Sequence, residues 1–140
     1  MKKAIMVHAW GFSPKSNWYL WLKGELEKRG YEVEILEMPN TDEPKIGAWV
    51  SHLKKVVGDL DEDTLFIGHS IGCQTIMRYL AEINTKVKVN LIFVAGWFKL
   101  DNLEGKEVEE IAKPWLENPI NFSAVKNKVS QLTVLLSDNE

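Results

Sequence analysis

Along this chain the apolar residues switch between short strand-like runs and the recurrence of a helix face, and the switches fall at glycine, proline and asparagine. Ala4–His8 (AIMVH) predicts a strand, followed by a Gly/Ser/Pro/Asn loop from Gly11 to Asn17. Asn17 can cap a helix from Trp18 to about Arg29 with Trp18, Trp21, Leu22 and Leu26 on one face. Lys28 and Arg29 suit its last turn, and Gly30 its end. Tyr31–Met38 alternates as a second strand, which PNTDEP breaks. A second helix over Pro44–Val57 carries the stripe Ile46, Trp49, Val50, Leu53, Val56 and Val57, and Gly58 closes it. Thr64–Gly68 (TLFIG) is a continuous apolar strand of the kind buried on both faces of a parallel sheet. A third helix over Ile71–Ile83 and a fourth strand over Val87–Val94 follow. An acidic helix near 103–113, a proline-containing loop over 114–123 and a fifth strand over Ser130–Ser137 complete the pattern. Trp18, Trp21 and Trp49 lie on helix stripes and are expected in the core.

Strand and helix alternate throughout. The predicted fold is α/β: a three-layer α/β/α sandwich with a mainly parallel sheet of about five strands and right-handed crossovers. No repeat, low-complexity stretch or linker interrupts it, so residues 1–140 read as a single domain.

Composition narrows the class. Hydrophobic residues are 45% and charged residues 26%, which excludes a disordered chain. A net charge of −3 and a pI near 5.7 disfavour a nucleic-acid partner. No apolar run reaches the roughly 20 residues that span a bilayer. The opening MKKAIMVHAWGF differs from a signal peptide because His8 and Gly11 interrupt its apolar run and no small-residue cleavage site follows. The lone Cys73 excludes an internal disulfide, fits a cytoplasmic location and is expected as a buried structural thiol.

The third strand ends in Gly68-His69-Ser70-Ile71-Gly72, a G-x-S-x-G between a strand and a helix. A serine on so sharp a turn needs small residues two positions to either side. The turn lifts its hydroxyl above the sheet edge and aims the next helix's N–H groups at the reacting centre. Ser70 is therefore the candidate nucleophile and the Ile71 N–H a candidate oxyanion donor. The loop after the first strand lies beside such an elbow and offers the Trp10 N–H as the second donor.

A serine nucleophile also needs an acid and a base. The fifth strand runs into Ser137-Asp138-Asn139-Glu140, which supplies two carboxylates. The histidines are His8, His52 and His69. His52 reads as a surface residue, and His69 is too close in sequence to reach its neighbour's hydroxyl. His8 ends a strand beside the elbow and is the one placed to approach Ser70. The commoner role for such a residue is a hydrogen-bonded loop anchor.

The segments VHAWGFSPKSNWYLWLKGELEKRGYEVEILEMPN, DTLFIGHSIGCQTIMRYL, LIFVAGWF, KPWLENPI and LLSDNE resemble the small α/β-hydrolases of the YdeN and retinoblastoma-binding-protein-nine serine hydrolase family. The likeness runs along nearly the whole chain and includes its tryptophan pattern. It implies a cytosolic hydrolase of small ester-like substrates, with Ser70 as nucleophile and without metal or organic cofactor. The family's acid opens an acid-Pro-aromatic-x-Pro segment, a register that matches Glu140 rather than Asp138. Members usually carry aspartate there, and commonly glycine where this chain has Ala9. Members continue through another helix and strand to a Gly-His-Phe-like segment bearing the catalytic histidine. The sequence stops before it, so the domain is expected to be short at its C-terminus, with the fifth strand as a bare sheet edge. Trp97, Phe98 and Trp115 fall near the catalytic edge, where they can wall an acyl pocket or pack the core.

The first reading is thus a serine hydrolase that cleaves small esters through an acyl-enzyme on Ser70. From another class, a non-catalytic binding protein that keeps the hydrolase fold is favoured by Ala9, Glu140 and the missing histidine. An acyltransferase using the same nucleophile is a third reading.

Overall fold

The computed structural model describes residues 2–16, 18–95 and 105–136. Its strands are β1 (Lys2–Val7), β2 (Tyr31–Leu36), β3 (Leu65–His69), β4 (Val89–Val94) and β5 (Val129–Leu135). Its helices are α1 (Tyr19–Lys28), α2 (Ile46–Val57), α3 (Ile71–Glu82), α4 (Lys106–Glu117) and α5 (Phe122–Lys126). The strands form one sheet in the order β2-β1-β3-β4-β5, and every pairing is parallel. In register, Ala4 sits between Val33 and Leu65, and Leu91 between Phe66 and Leu132.

This order places the site. The chain leaves β1 for β2 on one side and returns to β3 on the other. The carboxyl ends of β1 and β3 are therefore the topological switch point, where connections diverge and a crevice opens. The loop after β1 and the elbow after β3 both lie there.

The strand pattern sorts the core into two layers. Ala4, Met6, Leu65 and Ile67 face one way and pack with Tyr19 and Leu26 of α1. Ile5, Val7 and Phe66 face the other way and pack with Trp49 and Leu53 of α2 and Ile76 and Leu80 of α3. Residues 4–7 are all buried because both faces of β1 are covered. At the sheet's edges the pattern loosens. Glu32 and Glu34 of β2 are exposed. So is β5 from Ser130 onward, where Leu132, Val134 and Leu136 line an open groove of about 600 Å³ with Phe122 and Met77. Among the described residues β5 pairs with β4 alone.

Three expectations need correction. Trp21 is not core: it is 67% exposed, and Tyr19, two residues earlier, is fully buried in its place. The helix starts so that Trp18, Tyr19, Leu22 and Leu26 face the sheet. The segment 114–123 is not simply a loop. α4 runs through Pro114 to Glu117, and α5 begins at Phe122. Proline is tolerated because Pro114 is exposed, so solvent can serve the freed carbonyl of the preceding turn, while the Asn118 N–H still reaches the Pro114 carbonyl at 3.0 Å. The acidic helix accordingly spans 106–117 rather than 103–113. Elsewhere the element ends move by one to a few residues, and the proposed cap Asn17 lies outside the described residues.

Two tryptophans test this layering. Trp49 is fully buried, donates from Nε1 to the Pro39 carbonyl at 2.8 Å and meets the rings of His8 and Trp115 edge-on. Trp49→Ala is expected to cost about 3–5 kcal/mol in urea unfolding, and Trp21→Ala no more than about 0.5 kcal/mol.

Candidate active site

Ser70 has φ 55° and ψ −118°, a sparsely populated backbone conformation for a residue with a side chain. The bond from the Ser70 N–H to the Val94 carbonyl (2.8 Å) and that from the Cys73 N–H to the Ser70 carbonyl (3.0 Å) hold it there. The two glycines are required by contact. A Cβ on Gly68 would lie 2.8 Å from both the Cα and the N of Cys73. A Cβ on Gly72 would overlap the Val7 carbonyl oxygen and stand 3.1 Å from that of His8. The start of α3 thus rests directly on the end of β1, which brings the Ser70 turn and the following loop together. Among the described residues, neither the Ile71 N–H nor the Trp10 N–H has an acceptor. Ile71 is also at the amino end of α3, where aligned peptide dipoles favour negative charge.

The loop that carries Trp10 is held from several sides. The Ala9 carbonyl accepts from His8 Nδ1 at 2.8 Å and from the Phe12 N–H at 3.1 Å. That carbonyl belongs to the same peptide as the Trp10 N–H, and the two point in opposite directions across a trans peptide. Fixing one therefore aims the other. Further along, the Gly11 N–H donates to the Thr41 carbonyl, and Trp10 Nε1 to that of Asp42.

His8 is the loop anchor and not a base. It is fully buried, and Nε2 accepts the Met38 N–H at 3.0 Å while Nδ1 serves Ala9. An acceptor at Nε2 and a donor at Nδ1 define the neutral tautomer. Burial lowers the ring's pKa below its ordinary value, outweighing the opposing effects of the Ala9 carbonyl and the Glu37 charge. His69 is likewise engaged: Nδ1 meets the Tyr19 hydroxyl at 2.7 Å, and the rings of Phe12, Trp18 and Tyr19 surround it. His52 is half-buried on α2.

Cys73 is 1% exposed, and burial pushes its thiol up to about 12, so it stays protonated and inert as a nucleophile. Trp115 packs in the core. It is 1% exposed, donates from Nε1 to the Pro44 carbonyl at 3.0 Å, and lies against Trp49 and Arg78. Asp138, Glu140, Trp97 and Phe98 lie outside the described residues. The structure therefore brings together Ser70, Ile71 and the Trp10 loop. Tyr19 escaped the sequence reading. Its signal was a tyrosine within a helix's apolar stripe, since a buried phenol needs a polar partner. No helix among the described residues is long and apolar enough to cross a membrane.

The comparisons with known proteins agree with this geometry. A family model described as "Serine hydrolase" matches residues 4–139. A Bacillus subtilis (strain 168) protein named "Putative hydrolase YdeN" is 31% identical over 99 residues, which cover 70% of this chain and 52% of that protein. The chain thus spans about half the length of this curated relative. The crystal structure of the ydeN gene product from B. subtilis matches with a TM-score of 0.88 and 23% identity, covering 100% of this chain and 73% of that one. Est1E from Butyrivibrio proteoclasticus, solved with ferulic acid bound, matches with a TM-score of 0.59 and 12% identity over 98% of this chain and 79% of its own. The fold is α/β-hydrolase-like.

Two measurements check the site's architecture. Gly72→Ala must displace backbone and is expected to cost about 1–3 kcal/mol in urea unfolding. Gly47→Ala, on open helix surface, is expected to stabilise by about 0.4–1 kcal/mol. His8 supplies a pH test. Its folded pKa lies below its unfolded value, so the unfolded chain takes up the proton first as pH falls. The stability held by the neutral ring is complete above about 6.5 and is lost as pH drops through the lowered folded value. The urea midpoint should decline from about pH 7.5 to about pH 5.5, and less steeply in His8→Gln.

Proposed function

The chain belongs to the serine hydrolase family, and on that footing we propose that it cleaves small carboxylic esters through an acyl-enzyme on Ser70. The observation that carries this reading is the elbow itself: a strained serine at the sheet's switch point beside two N–H groups that have no acceptor among the described residues. Ser70 Oγ attacks the ester carbonyl carbon. The carbonyl electron pair moves onto oxygen, and the Trp10 and Ile71 N–H groups receive the resulting oxyanion. As the ester C–O bond breaks, the base passes the proton taken from Ser70 Oγ to the departing alkoxide, which leaves as the alcohol, and the acyl group stays on Ser70. Water then attacks the acyl carbonyl, the acyl–Oγ bond breaks, a proton from the water returns through the base to Ser70 Oγ, and the acid product departs.

Both His8 ring nitrogens are occupied, and His69 Nδ1 binds Tyr19, so neither is assigned as the base. The family resemblance assigns it to a histidine in a segment C-terminal to the acid. It assigns the acid to Glu140, with Asp138 as the other carboxylate of that strand end. Ala9 does not argue against an oxyanion hole here. Its side chain is accommodated at 4% exposure, and both its peptide groups are hydrogen-bonded.

A fluorophosphonate probe tests the nucleophile directly. Covalent labelling of the wild-type chain is expected, with Ser70→Ala reducing it to background. Equal labelling of wild type and Ser70→Ala would favour the non-catalytic binding protein. Products formed from p-nitrophenyl acetate with an added amine separate hydrolysis from acyl transfer.

A further inference from the structure

We propose that the Tyr19 hydroxyl is a positioning group that ties the oxyanion loop to the nucleophile elbow and so sets the spacing between Trp10 and Ser70. The inference rests on the hydrolytic reading of Ser70 given above. Tyr19 enters from α1, on the sheet face opposite α2 and α3, and is fully buried. Its hydroxyl accepts the Ala9 N–H at 3.0 Å and lies 2.7 Å from His69 Nδ1. An amide N–H can only donate, so the phenol oxygen accepts there, and the tautomer of His69 sets which partner donates in the second bond. One oxygen atom thus bridges the residue before the proposed oxyanion donor and the residue before the proposed nucleophile.

The bridge is stiff because its base is stiff. The Tyr19 ring packs against Trp18 at 4.9 Å, His69 at 5.7 Å and Phe12 at 6.2 Å between ring centres. It also lies in the core layer with Ala4, Met6 and Ile67, on the two strands that lead into the loop and the elbow. The hydroxyl holds Ala9 by its N–H while His8 holds the Ala9 carbonyl, so the peptides on both sides of Ala9 are fixed. Without the hydroxyl, the Ala9 N–H loses its acceptor and the loop one of its anchors. Misplacement by about 1 Å in such a site can cost up to about 10²-fold in rate. This also gives a reason for histidine between Gly68 and Ser70, since its Nδ1 is the tether's far end.

Tyr19→Phe removes the hydroxyl and keeps the ring. In the full chain, with p-nitrophenyl acetate as substrate, kcat is expected to fall about tenfold while KM stays within about twofold. Amide exchange at Ala9, followed by NMR, is expected to quicken at least about tenfold, with exchange at Met38, held by His8, unchanged. Unchanged Ala9 exchange overturns the tether by itself. Unchanged kcat in Tyr19→Phe, where Ser70→Ala has lost turnover, overturns the positioning role and leaves the nucleophile standing. Wild-type turnover no greater than that of Ser70→Ala overturns the nucleophile reading and the positioning role with it.

Discussion

The approach of Gly72 to the Val7 and His8 carbonyl oxygens is the contact on which the rest of this structure depends. β1 lies inside the sheet with both faces covered, and α3 must leave β3 and start directly on β1's end. Only a hydrogen fits between them. Turning within that space forces Ser70 to φ 55°, at a cost of about 1–3 kcal/mol that the packed layers on either side must offset. The reward is positional. The serine stands at the switch point of the sheet, with the amino end of α3 beside it.

The loop opposite Ser70 has little secondary structure of its own, and its precision is borrowed. His8 links it to Met38 behind the sheet edge, Trp10 and Gly11 link it to the turn at Thr41 and Asp42, and Tyr19 links it to α1 and to His69. The links at His8 and from Tyr19 to Ala9 are hydrogen bonds in a buried setting, where satisfied networks hold geometry well and an orphaned group is costly. Among the described residues no buried side-chain polar atom lacks a partner. Such a frame aims peptide dipoles before a reaction begins, which is how electrostatic stabilisation is made effective.

Much of this was legible from residue order. The strand-helix alternation, the parallel sheet, the glycine-bracketed serine and a buried Cys73 all follow from local spacing and sterics. His8 was more ambiguous. At the end of a strand beside a serine, an imidazole can serve as base or as anchor, and only the Met38 N–H and the Ala9 carbonyl decide between them. Met38 lies 30 residues away, so no local pattern could announce it. For Trp115 the sequence leaves pocket wall and core open, and α4, which continues through Pro114, carries it against Trp49.

By itself, then, the sequence determined which elements form, their order and the one turn sharp enough to present a serine, because these depend on residues close together in the chain. The tertiary structure decided which side chains within each apolar stripe turn inward, Tyr19 rather than Trp21, and which polar groups meet. Helical periodicity defines a face but leaves its exact orientation to the packed partner. The meeting of Tyr19, Ala9 and His69 joins three segments, with Tyr19 lying 10 residues from Ala9 and 50 from His69, and only layers packed on a sheet place them within hydrogen-bond reach.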